Sequence, residues 1–221
     1  MADPALQAFE QRRAANSAKV PAFTFDEARH FYFLDTVRLV SVTEVLERAG
    51  LVDYSFLPPN IRDMALRRGS AVHQATAFDD EGDLDYDLLD TGLKGYVDGW
   101  RLFRQETGFT PDQIEHRGYH AQHLYAGTKD RRGTFPGKSS KYDLDIKCGK
   151  AQPWVWIQLA GYQAMEPEPR TKLPFCVELP GNGTWREYQR PADWSFDLYF
   201  NYFLSCLSVT RLQVMCGTTK G

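Results

Sequence analysis

Polar and apolar positions alternate most sharply in the second half of the chain. In Tyr142-Asp143-Leu144-Asp145-Ile146-Lys147-Cys148, apolar Leu144 and Ile146 interleave with Asp145 and Lys147. A period of two predicts a strand, and side chains at i and i+2 share one of its faces, so Asp145 and Lys147 point together. Alternation also predicts a hairpin over 23–40, with Phe23, Phe25, Phe31 and Phe33 on either side of Asp26-Glu27-Ala28-Arg29. Ser41 and Glu44 have the spacing of a capping box. Val42, Val45, Leu46 and Ala49 follow at helical spacing, with Gly50 as the stop.

The period then switches several times. Helices are predicted over 61–78, 93–106, 154–165 and 194–207. Strand pairs are predicted over 113–125, around Gly118, and over 175–189, around Pro180-Gly181-Asn182-Gly183. The segment 131–141 is polar and contains Gly and Pro, which predicts a loop or hairpin. Residues 79–90 carry seven acids in twelve positions and read as a solvated acidic loop. The polar, Ala-rich stretch 1–19 reads as a short helix or a mobile terminus.

A length of 221 residues favours one domain with a sizeable core. A net charge of −3 and a pI of about 6.0 exclude a chain that binds nucleic acid through its overall charge, so a DNA contact needs a local basic patch. No apolar run approaches the ~20 residues of a membrane span. The first residues hold no apolar signal-type run, and a cytoplasmic protein is expected. Cys148, Cys176, Cys206 and Cys216 form no C-x-x-C pair. Reduced thiols are therefore expected, with neither zinc nor an iron–sulfur cluster.

The candidate chemistry gathers around three residues. Asp130, in Ala126-Gly127-Thr128-Lys129-Asp130, stands fifteen positions before Asp145, and Lys147 follows. Two carboxylates hold a divalent cation, and a nearby ammonium orients or activates a water. Hard oxygen ligands suit magnesium or manganese, as one ion or two. This is a minimal kit for metal-assisted cleavage of a phosphodiester. An ammonium of ordinary pKa, near ~10.4, is a poor base at neutral pH, so Lys147 is expected to position and stabilise rather than deprotonate. Gln158 and Tyr162 are four apart and share a helix face. Arg67, Arg68, Lys129, Arg131, Arg132, Lys138, Lys141 and Lys150 lie close in sequence to these residues and are candidates to ring a cleft and bind phosphates.

This ordered set resembles the PD-(D/E)XK nuclease superfamily, in the branch of lambda-type phage exonucleases and the RecB nuclease domain. Arg68-Gly69-Ser70-Ala71-Val72-His73 resembles its R-G-[ST]-x-x-H helix, and Glu115 the acid of its first core strand. Gly127-Thr128-Lys129-Asp130 resembles its G-T-x-D turn, and Gln158-Leu159-Ala160-Gly161-Tyr162 its Q-x-x-x-Y helix. The match in order and spacing covers roughly residues 41–165.

The resemblance implies an α/β fold with a mixed central β-sheet flanked by helices. It also implies a single nuclease domain over 1–221, with an arm and hairpin (1–40), a motif-bearing core (41–165) and a C-terminal hairpin and helix (166–221). The implied activity is metal-dependent DNA exonucleolysis in phage or bacterial recombination and repair, in a bacterial cytosol. Asp130, Asp145, Lys147, Glu115 and Gln158 would carry it. His73, Asp130, Asp145 and the Ile146 carbonyl would bind the metal. Arg67, Arg68, Arg131, Arg132, Lys138, Lys141 and Tyr162 would contact DNA, with 131–141 as the contacting loop. DNA and a single-strand annealing protein are the implied partners, and homo-oligomerisation is open. A structure-specific endonuclease and a DNA-binding module without turnover stand as alternatives. His116, His120 and His123 form a competing zinc pattern only on a helix; on a strand His123 faces away from the other two.

Overall fold

The computed structural model describes residues 21–55 and 57–218; the reading of 1–19 lies outside them. The order of elements is β1 (Phe23–Asp26), β2 (Phe31–Leu34), β3 (Val37–Ser41), α1 (Val42–Arg48), α2 (Pro59–Glu81), α3 (Thr91–Thr107), β4 (Thr110–His120), β5 (Tyr125–Thr134), β6 (Tyr142–Lys147), α4 (Val155–Ala164), a 3-10 turn (Pro169–Thr171), β7 (Leu173–Glu178), β8 (Arg186–Glu187) and α5 (Phe196–Met215). The fold is α/β, with eight strands in a mixed open sheet and five helices among the described residues. Contacts divide the chain into two units between Leu39 and Val40.

In the first unit β1 and β2 pair antiparallel, and β2 pairs antiparallel with the start of β3. The hairpin expected over 23–40 is thus a three-stranded meander. Phe25 faces Tyr32 across the ladder with ring centroids 4.8 Å apart, and Tyr32 is the buried ring.

The second unit is organised by β5. One edge of β5 pairs with β4 along nearly its whole length. On its other edge, Tyr125 and Ala126 pair in parallel with Val40 and Ser41 of β3, and Arg131 to Gly133 pair antiparallel with β6. Between these stretches Gly127, Thr128 and Lys129 pair only with β4. This leaves a gap in the hydrogen-bonded sheet. β6 continues in parallel to β7, and β8 closes the edge antiparallel.

Side-chain alternation puts a different core on each face. Leu144, Ile146, Val177 and Leu179 pack with Val72 of α2 and with Trp100 and Phe103 of α3. Cys176, one position from Val177, packs with Val155, Trp156 and Leu159 of α4. Tyr125 joins Tyr162 of α4 and Phe203 of α5, and its hydroxyl donates to the Gly161 carbonyl at 2.9 Å. Ser41 caps α1, its Oγ accepting from the Glu44 N–H at 3.0 Å, and Gly50 just past the helix takes a left-handed φ of 77°.

Four expectations are corrected. Gly118 is not a turn: it sits inside β4 opposite Gly127, and the chain reverses between His120 and Tyr125. The Gly127-to-Asp130 segment is strand rather than turn, and β5 runs on through Arg131 and Arg132, so the loop begins only after Thr134. The acidic stretch starts inside α2, and the Asp80 side chain is fully buried instead of solvated. The last helix runs eight residues past Leu207, because Thr210 continues its buried face and sets its hydroxyl 3.4 Å from the Val45 carbonyl.

Candidate metal centre

The gap beside β5 is where the two helical layers meet. The β5–β6 ladder stops at Arg131 and Leu144. Beyond it the Ile146 N–H donates to Asp130 Oδ2 at 2.7 Å, so a side chain replaces a backbone partner and turns the Asp130 carboxylate into the gap. From the α2 layer, His73 Nδ1 reaches Asp130 Oδ1 at 3.4 Å and Glu115 Oε1 at 3.7 Å. From the α4 layer, Gln158 Oε1 accepts from Lys147 Nζ at 3.0 Å.

His73, Glu115 and Asp130 each offer one ligand atom, all within 4.8 Å of one another. Asp145 stands beside this group, tied to Lys147: Nζ lies 3.1 Å from Oδ1 and 2.9 Å from Oδ2. Asp145 Oδ2 is buried, with the Lys147 ammonium beside it. The clustered carboxylates fit a hard divalent cation, and the His73 imidazole can join them as a ligand once it has lost its proton.

Glu115 carries a structural signature that its sequence context did not show. It is a non-glycine strand residue with φ of 45°. A left-handed conformation costs a side-chain-bearing residue roughly 1–3 kcal/mol and persists only where the surroundings hold it; such residues cluster at functional sites.

The electrostatics single out Asp130. Burial pushes the Asp130 carboxyl up to about 7; His73 and Lys147 pull it down, while Asp145 and Glu115 add to the rise. Burial works against the His73 cation, but Asp130, Glu115 and Asp145 outweigh it and raise His73 to about 9. Burial likewise opposes the Lys147 ammonium, yet Asp145 and Asp130 hold its pKa above the ordinary lysine value. Lys147 therefore keeps its proton.

The remaining candidates separate. Gln158 and Tyr162 share a helix face as expected, with Gln158 Nε2 donating to the Tyr162 hydroxyl at 3.1 Å. Tyr162 is nearly buried against Gly127, where an added Cβ would lie 2.6 Å from its ring; its place is in the packing and not on a DNA-contacting surface. Ile146 is placed by its N–H to Asp130. Arg67 and Arg68 are exposed on α2, less than two turns before His73, with the Arg68 guanidinium 6.0 Å from the Tyr96 ring centre. Lys138 is exposed in the loop after β5, and Lys141 pairs with Asp112 at 2.6 Å. Both sit near the start of β6, whose six residues put about 17 Å between its two ends, so they are not gathered with Lys147.

Arg131 and Arg132, expected on a DNA-contacting loop, are buried strand residues. Arg132 grips Asp143 with two bonds of 2.8 and 3.0 Å, and its Nη1 lies 3.1 Å from Glu166 Oε2. Buried Lys129 bridges the same two acids at 3.2 and 2.9 Å. Arg131 Nε donates to Asp80 Oδ2 at 2.6 Å, and Nη1 to Glu115 Oε1 at 2.9 Å. Long-range carboxylates occupy these cations, which removes them from a surface contact. Sequence reasoning missed Asp80, Asp143 and Glu166. The i, i+2 spacing that pairs Asp145 with Lys147 puts Asp143 on the same face and was the one available signal. The histidine pattern does not form a metal group: His116 faces Glu166 at 3.6 Å, while His120 and His123 lie at the β4–β5 turn with rings 4.7 Å apart.

No protein-family model matches the chain, and no curated protein matches it. No described helix is long and apolar enough to cross a membrane.

Proposed function

We propose that the chain is a magnesium- or manganese-dependent deoxyribonuclease of the PD-(D/E)XK kind, acting as an exonuclease in phage or bacterial DNA recombination or repair. The observation that carries the reading is the convergence of His73, Glu115 and Asp130 within 4.8 Å, beside an Asp145–Lys147 pair held by Gln158. A cation bound there supplies Lewis acidity to a phosphate oxygen and acidity to a water.

The chain's own residues do the rest. His73, Glu115 and Asp130 would hold the cation, with Asp145 next to them. The Asp130 carboxylate is aimed by the Ile146 N–H. Lys147, fixed between Asp145 and Gln158 and over the Trp154 ring at 4.9 Å, presents a permanent positive charge to the phosphate. Such a preset charge stabilises the negative charge that builds during displacement. Arg67 and Arg68 are exposed cations less than two turns before His73 on its helix, and they are the proposed backbone contacts.

The test uses end-labelled linear DNA and covalently closed circular DNA, each with magnesium, manganese or EDTA. Metal-dependent loss of linear DNA alone is the expected result, and the label position gives the polarity. Cutting of the circle would shift the reading to an endonuclease. Intact linear and circular DNA at every metal concentration would favour a binding module.

A further inference from the structure

We propose that Arg131 is a positioning residue whose buried guanidinium holds the Glu115 carboxylate at the cation site. The inference rests on the metal reading above and gives that site a part no sequence motif assigns.

Arg131 has no exposed surface, so it cannot meet a substrate. Its three nitrogens have separate tasks. Nε donates to Asp80 Oδ2 at 2.6 Å, Nη2 to Thr76 Oγ1 at 3.1 Å, and Nη1 to both Glu115 Oε1 at 2.9 Å and the Asp130 carbonyl at 2.6 Å. A planar guanidinium presents these donors in one rigid fork, so fixing two corners aims the third. Asp80 is itself fixed, accepting from Trp100 Nε1 at 2.9 Å and Arg104 Nη1 at 2.7 Å. The chain of contacts therefore runs from α3 through Asp80 on α2 and Arg131 on β5 to Glu115 on β4.

Glu115 is the one ligand candidate of the three whose backbone is strained, at φ of 45°. Its neighbours Ile114 and His116 stay paired with Arg131 and Lys129, so the strand continues on either side of the distortion. The Nη1 bond holds the carboxylate from the buried side, while His73 faces it from the cluster. The charge of Arg131 alone would repel a dication. The proposal therefore commits to geometry: a lysine that keeps the charge and loses the fork weakens the site.

The experiment is manganese binding to the full chain without DNA, followed by the paramagnetic resonance of free Mn2+, in a cycle of wild type, Arg131→Lys, Glu115→Gln and the double variant. Arg131→Lys is expected to weaken binding about 10-fold or more, the usual range when the partner orienting a metal ligand is removed. In the Glu115→Gln background the same change should add nothing. An unchanged affinity for Arg131→Lys, or an equal loss in both backgrounds, would overturn the proposal, because a merely structural arginine acts whether or not Glu115 is present. Circular dichroism checks the fold. Should Arg131→Lys not fold, Asp80→Asn replaces it in the cycle with the same expected pattern and the same overturning results. A wild-type chain that binds no Mn2+ overturns the metal reading itself, and this proposal with it.

Discussion

Two ionic clusters share the strands β5 and β6, and they are built on opposite principles. In one, Lys129 and Arg132 face Asp143 and Glu166, two cations against two anions, with every contact at 3.2 Å or less. In the other, Asp130, Glu115 and Asp145 crowd together; despite burial, His73 and Arg131 hold the Glu115 carboxyl below its ordinary value, while Asp130 is left undercompensated. The balanced cluster behaves as a closed unit. Burial favours the protonated form of Glu166, but Lys129 and Arg132 prevail and hold its pKa at about 2. The crowded cluster raises Asp130 to about 7 instead. Neighbouring positions on the same strands thus divide: one set fastens the sheet, and the other leaves the Asp130 carboxyl undercompensated.

The same chemical change in each cluster should break the comparison in opposite ways. Asp130→Asn keeps an acceptor for the Ile146 N–H and removes the charge the fold holds at a cost. Metal-dependent DNA cleavage should fall by about 10³-fold, of the order seen when a preset electrostatic group is lost, while the thermal midpoint stays the same or rises. Cleavage near the wild-type rate would remove Asp130 from the active site. Asp143→Asn strands Arg132 and Lys129 as buried, undercompensated cations. Chemical denaturation should show a loss of roughly 3–5 kcal/mol, and a loss below that of a surface substitution would show the cluster to be dispensable.

The smallest effect is a pH dependence. A carboxylate whose folded pKa lies below its ordinary 4.5 gives stability that is complete above 4.5 and is lost as pH falls toward 2. Glu166→Gln should flatten that acid limb of the stability curve and leave its neutral value less changed than Asp143→Asn does. An acid limb with the wild-type slope would assign the titration to another group.

Much of this arrangement is legible along the chain. Leu144 and Ile146 announce the β6 alternation, and with it the shared face of Asp145 and Lys147, because a strand's side-chain period is local and fixed. The Ser41–Glu44 cap and the Gln158–Tyr162 pair are equally local. Arg131 and Arg132 misled for a physical reason. Their burial is stabilised by Asp80, Asp143 and Glu166, whose positions no short window contains, so a run of charge beside Gly133 looked like a loop. Glu115 gives no sign of its strained backbone in sequence, since its neighbours are ordinary strand residues. Gly118 invited a turn, but the close approach in this region belongs to its partner Gly127, on which the Tyr162 ring rests.

The gap along β5 also has a history in the folding chain. β4, β5 and β6 follow one another through short connections and need little loop closure. β3 reaches Tyr125 and Ala126 only after the whole of α1, α2 and α3 has been looped out. Closing a longer loop costs more entropy, and pairing across large sequence separations is slow. Until Val40 and Ser41 dock, the gap has one wall, and Thr43 has not come within 3.5 Å of Gln158. Competence to bind a cation should therefore trail the appearance of helix and meander during refolding, arriving with the last strand to join.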